Sequence, residues 1–103
     1  MQFGLTEDDL STLRRVFRRY PAVHEVLVFG SRAMGRFRPG SDVDLAVRED
    51  DGGTSALPDM RYELDEETLL PYRFDVLALD RVASPLLVDP IQRWGRSIYR
   101  RGE

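Results

Sequence analysis

The chain has 103 residues, 42% hydrophobic and 32% charged, with a formal net charge of −3; that balance argues against disorder and suits one modest core, a single domain over residues 1–103. With no cysteine and one histidine, His24, the chain cannot build a disulfide scaffold, a thiolate zinc site, a thiol nucleophile or a histidine metal cluster. No apolar run approaches the roughly 18–20 residues of a membrane span and no signal-peptide pattern opens the chain, so the expected location is the cytoplasm, and the acidic balance gives no electrostatic case for broad nucleic-acid or membrane binding.

Thr6 reads as a helix N-cap, followed by Glu7, Asp8 and Asp9 at the positive end of the helix dipole, with Asp9 placed for a capping-box variant. Leu5 and Leu10 are spaced for a hydrophobic staple. Leu10, Leu13, Val16 and Phe17 recur at helical spacing, and Arg14, Arg15, Arg18 and Arg19 fall largely off that stripe, as a solvated face would. Tyr20-Pro21 ends the helix. Val26–Phe29, with Val23 leading in, predicts a short buried strand bounded by Gly30. A short helix or turn follows over 31–37, Pro39-Gly40 breaks the chain, and 42–47 predicts a second strand. A polar loop runs from Arg48 to Ser55, including Asp50-Asp51-Gly52-Gly53, and reads as a connector. Helical composition spans 58–70, with Leu57, Met60, Leu64 and Leu69 as inward positions, and Pro71 stops it. Residues 73–79 predict a third strand. Ser84-Pro85 opens a helix that Pro90 is expected to interrupt, with Asp89-Pro90 capping a second short one. Gly95 ends it, and 97–99 adds an edge strand. Tyr62, Tyr72, Trp94 and Tyr99 are expected as core aromatics, with a partner interface or an adenine stack as the functional alternative.

The chemistry concentrates between Phe29 and Leu45. Gly30-Ser31 follows a predicted strand and opens a predicted short helix or turn, where backbone N–H groups point outward and a glycine permits close approach of a phosphate. All 15 basic residues are arginine, which codon bias explains, so any phosphate grip must come from arginine and backbone N–H groups; Arg32, Arg36 and Arg38 put positive charge here. Asp42 and Asp44 stand two apart on a predicted strand and so share a face. Adjacent carboxylates repel, and a divalent cation such as Mg²⁺ compensates them, with water and phosphate completing its shell. Asp75 lies inside the apolar run Phe74-Asp75-Val76-Leu77, where a lone buried carboxylate is costly unless paired or metal-bound. If that strand neighbours the Asp42/Asp44 strand, three acids converge beside the Gly-Ser turn. That set suits metal-dependent phosphoryl or nucleotidyl transfer.

Gly30-Ser31, ten residues, then Asp42-Val43-Asp44, with Asp75 on a later strand, resembles the signature of the polymerase-β-like nucleotidyltransferase superfamily, and the segment GSRAMGRFRPGSDVDLAV is similar to its minimal prokaryotic members. The resemblance covers nearly the whole chain. It implies an α/β (α+β) fold, a small mixed β-sheet with helices packed on it. It also implies that Asp42, Asp44 and Asp75 are catalytic and hold Mg²⁺, two ions, with Asp75 helping to take the proton from the acceptor hydroxyl. Gly30 and Ser31 would hold the β- and γ-phosphates of a nucleoside triphosphate, with Arg32 and Ser41 as further phosphate contacts.

Larger relatives carry a helical acceptor-binding domain; minimal ones pair with a small helical HEPN-type toxin. The resemblance therefore implies an antitoxin that transfers AMP from ATP to a tyrosine hydroxyl of its HEPN partner, placing new negative charge near a ribonuclease site. The alternatives are a non-catalytic antitoxin that occludes its partner, which the retained acids disfavour, and nucleotidyl transfer to a small molecule or a nucleic-acid end.

Overall fold

The computed structural model describes residues 1–50, 54–81 and 84–102. Helix α1 spans Glu7–Arg18, strand β1 Val23–Phe29, helix α2 Gly30–Ala33, strand β2 Val43–Glu49 and helix α3 Leu57–Tyr62, which continues as a π-helical segment over Glu63–Glu67. Strand β3 spans Phe74–Ala78, a 3₁₀ turn Leu79–Arg81, helix α4 Pro85–Trp94 and strand β4 Arg96–Arg100. The strands form one mixed sheet in the order β3-β2-β1-β4, with β1 antiparallel to β2 and β4, and β2 parallel to β3. This is the small mixed sheet with helices that the sequence leads one to expect.

Strand alternation sends Val26, Val28, Val43, Leu45, Val47, Phe74, Val76 and Ile98 into a common core with Leu10, Leu13, Val16 and Phe17 of α1 and Leu57, Met60 and Leu64 beyond β2. The opposite face carries Leu27, Phe29, Asp44, Ala46, Asp75 and Leu77, and there α2 and α4 pack against β1. The fold thus separates an apolar face, which holds the sheet together, from a face that carries carboxylates.

The start of α1 forms as its sequence dictates. Thr6 Oγ1 accepts from the Asp9 N–H and Asp9 Oδ2 accepts from the Thr6 N–H, both at 3.0 Å, while Leu5 and Leu10 are fully buried. The arginine face of α1 is more than a solvated surface: Arg14 Nε donates to the Ile98 carbonyl at 2.9 Å on edge strand β4. Arg19 Nη1 donates to Glu63 Oε2 at 2.6 Å.

Three further expectations are corrected. The helix expected over 58–70 ends at Thr68, whose backbone is extended and whose hydroxyl donates to the Leu64 carbonyl at 2.7 Å; Leu69 therefore points to solvent rather than inward. Residues 85–94 form one helix despite Pro90. The carbonyl that loses its donor there belongs to Leu86, on an exposed turn where water can serve it. Tyr62 and Trp94, expected in the core, are 62% and 39% exposed, because α3 buries Leu57 and Met60 and α4 buries only Ile91. Asp51, Gly52 and Gly53 of the expected polar loop lie outside the described residues.

Candidate active site

Parallel pairing of β2 with β3 sets Asp44 directly opposite Asp75, and antiparallel pairing with β1 sets Phe29 opposite Asp44. The residue after Phe29 is Gly30, so the Gly-Ser turn starts beside the two carboxylates. Gly30 has φ +71°, a left-handed backbone that favours glycine, and a Cβ placed there would collide with Asp44 Oδ2. The glycine is thus required twice, by its conformation and by the carboxylate over it.

Asp42 lies just before β2 and is exposed; Asp44 is half-buried; Asp75 is exposed on edge strand β3. The expectation that Asp75 is a buried charge needing compensation is therefore corrected, since an edge position leaves it in contact with water. The compensation problem belongs to Asp44. Burial raises its carboxyl above the usual value, the neighbouring charges of Asp75 and Asp42 raise it further, and Arg32 opposes the shift. The structure therefore brings Asp42, Asp44 and Asp75 into one electrostatic cluster beside Gly30.

The donor set fits a hard divalent cation. Its ligands would be carboxylate oxygens, Asp44 is crowded by the charges of Asp75 and Asp42, and Mg²⁺ takes only one or two protein carboxylates before water and phosphate complete its shell. Among the described residues no group of three or more His, Cys, Asp or Glu side chains is arranged to hold a metal ion by itself. An open groove of about 740 Å³ touches the site at Asp42 and runs past Arg61, Tyr72, Arg73 and Phe74.

Ser31 sits in the first turn of α2. Ser41 Oγ accepts from the Arg38 N–H at 2.8 Å in an exposed turn. Arg32 stands apart from the expected phosphate role. Its side chain is buried, and it donates to the carbonyls of Phe3, Ser41 and Asp42. Two rings accompany it, Phe37 and Tyr72. Sequence reasoning passed over Phe37 and took Tyr72 for a core or interface aromatic; the position of Tyr72 three residues before Asp75 was the only available hint.

Residues 11–103 match the family model for polymerase beta, nucleotidyltransferase: the chain belongs to this nucleotidyltransferase family. Three solved structures share the fold. A toxin-antitoxin structure with AMP-PNP superposes with a TM-score of 0.71 at 22% identity, covering 91% of this chain and 75% of that one. The toxin-antitoxin MntA-HepT gives 0.67 at 18% identity, with 92% and 73% covered. A tri-AMPylated Shewanella oneidensis HEPN toxin in complex with MNT antitoxin gives 0.60 at 21% identity, with 88% and 69% covered. No curated protein matches the sequence.

Proposed function

We propose that this chain is the antitoxin of a HEPN-type toxin and transfers AMP from ATP to a tyrosine hydroxyl of that partner, in the cytoplasm and with Mg²⁺. The observation that carries the reading is the register that sets Asp44 opposite Asp75 with Gly30 against the Asp44 carboxylate. The structural neighbours, complexes with toxins and in one case with AMP-PNP, support it.

In this reading Asp42, Asp44 and Asp75 hold two Mg²⁺ ions, which when bound offset triphosphate charge and favour departure of pyrophosphate. Asp42 and Asp44 supply oxygens from one strand, and the raised carboxyl of Asp44 is the group most relieved by a cation. Gly30 and Ser31 hold the β- and γ-phosphates through the backbone at the start of α2. Asp75, exposed on the edge strand, takes the proton from the acceptor hydroxyl. The hydroxyl oxygen then bonds to the α-phosphorus in line, and the bond to pyrophosphate breaks. Ser41 and Arg32 act by shaping the loop that delivers Asp42, with no phosphate contact assigned to either.

The test is co-expression with a HEPN-type protein, if one is encoded in the neighbouring reading frame, followed by intact mass of that partner. Mass increments of one AMP each, lost in Asp44→Asn, are expected. An unmodified but inhibited partner would instead favour simple occlusion.

A further inference from the structure

We propose that Arg32 is a positioning residue of the carboxylate site, fixing the backbone that presents Asp42; the inference rests on reading Asp42, Asp44 and Asp75 as the cation-holding set. Asp44 is placed by the sheet, through its register with Phe29 and Asp75. Asp42 has no such support. It precedes β2 and is exposed, so its place depends on what holds residues 41 and 42.

Ser41 is tied to Arg38 within its own turn, and Arg32 ties that turn to the rest of the fold. The residue is 2% exposed. Nη2 and Nε donate to the Ser41 carbonyl at 2.8 and 3.2 Å, and Nε also reaches the Asp42 carbonyl at 3.3 Å. On its other side Nη1 donates to the Phe3 carbonyl at 2.8 Å. The guanidinium carbon lies 5.1 Å from the Phe37 ring centroid and 5.0 Å from that of Tyr72, distances at which a cation is attracted to an aromatic face. A planar fork with five donors can serve several carbonyls at once; an ammonium cannot reproduce that geometry.

The surroundings are built to this group. Phe3 and Gly4 adopt φ +56° and +74°, a turn that brings the Phe3 carbonyl to Arg32. A Cβ on Gly4 would stand 2.7 Å from Arg32 Nη1 and run into the Phe37 ring. Tyr72, besides facing Arg32, leads into β3, and the Arg73 carbonyl accepts from the Val43 N–H at 2.9 Å. One guanidinium therefore joins α2, the N-terminal turn and the entries to both carboxylate strands. Swinging it out toward a phosphate would break these part-buried hydrogen bonds and expose a guanidinium that now sits between two rings.

The experiment titrates Mn²⁺ alone into wild type, Arg32→Lys, Phe37→Leu and Asp42→Asn, following free Mn²⁺ by electron paramagnetic resonance, with thermal melts of each and KM for ATP at saturating metal. Arg32→Lys keeps the charge, so the expected result is a folded protein that binds Mn²⁺ about tenfold more weakly or worse, with a smaller change in KM for ATP. A folded Arg32→Lys with wild-type Mn²⁺ affinity overturns the proposal, as does a raised KM for ATP with Mn²⁺ affinity unchanged, the signature of a phosphate contact. If Arg32→Lys does not fold, Phe37→Leu decides by the same criteria, since it keeps the guanidinium and removes one ring beside it. Wild-type Mn²⁺ affinity in Asp42→Asn is a distinct result that overturns the carboxylate reading itself.

Discussion

Asp44 and Asp75 face each other in register across parallel strands β2 and β3, one half-buried and the other exposed. Adjacent strands lie about 4.8 Å apart, so two like charges are held side by side by the backbone ladder, and side-chain rotation can only partly separate them. A fold that keeps such a pair accepts a loss of stability for what the pair can bind. The relationship has consequences for both stability and activity.

Asp44→Asn is expected to abolish nucleotidyl transfer and to raise the melting temperature at neutral pH. The sign follows from protonation: the folded-state carboxyl is raised by burial and by Asp75 and Asp42, so the folded protein holds this proton more tightly than the unfolded chain does. Its contribution is fully present below the ordinary carboxylate value and is lost as pH rises through the folded one. The gain from asparagine should therefore shrink as pH falls into the carboxylate range. Melting curves at neutral and acid pH check it, and Mg²⁺ should raise the melting temperature of wild type more than that of the variant.

Gly30→Ala and Gly35→Ala form a matched pair. Both glycines have left-handed backbones, φ +71° and +73°, but a Cβ on Gly35 meets open space whereas one on Gly30 meets the Asp44 carboxylate. Each should lose about 1–2 kcal/mol from backbone conformation. Gly30→Ala should lose more, and it alone should abolish transfer. Urea unfolding of both variants, with an activity assay, separates the two effects.

Glu63 is buried, and its carboxylate accepts from Arg19 at 2.6 Å and from the Tyr20 hydroxyl at 2.8 Å. Glu63→Ala should destabilise the fold by about 1–3 kcal/mol. The Tyr20 phenol is pushed up to about 12, first by burial and then by the Glu63 hydrogen bond and charge. The stability it contributes is present below its ordinary value of 10.0 and is lost as pH climbs toward about 12. Ultraviolet titration of the tyrosines should show the Tyr20 transition moving down in Glu63→Ala.

Tyr72 donates its hydroxyl to Asp9 Oδ2 at 2.6 Å. Burial of Asp9 works to raise its carboxyl, but the hydrogen bonds from Tyr72 and Thr6 outweigh it and hold the pKa below its usual value. Tyr72→Phe should cost about 1 kcal/mol at neutral pH. A lowered carboxyl contributes stability above its unfolded pKa and loses it as pH falls through the folded one, so the two proteins should converge at low pH. Chemical denaturation across that range tests the convergence.

Much of this fold was legible in local patterns. The Thr6–Asp9 cap, the Leu5–Leu10 staple and the first three strands follow from residue spacing alone, because each is decided by neighbours within a few positions. The misreadings came where composition alone does not decide. Leu69 has helical composition, yet Thr68 turns back on Leu64 and ends the helix first. Pro90 signals a break, but its turn faces solvent, so the missing N–H is tolerated. In the site, the spacing from Gly30 to Asp44 was visible in the sequence. The burial of Arg32 was not, because it depends on Phe3, Phe37 and Tyr72, brought together only by the fold.

The central claim is transfer of AMP to a protein hydroxyl, and the most direct measurement follows the label from ATP. The co-purified HEPN-type partner is incubated with Mg²⁺ and ATP carrying radiolabel at either the α- or the γ-phosphate, with wild type or Asp44→Asn. Label should enter a tyrosine of the partner from the α-phosphate only, leave as pyrophosphate from the γ-phosphate, and do neither with Asp44→Asn. Transfer of the γ-label, or equal labelling by Asp44→Asn, would contradict the account.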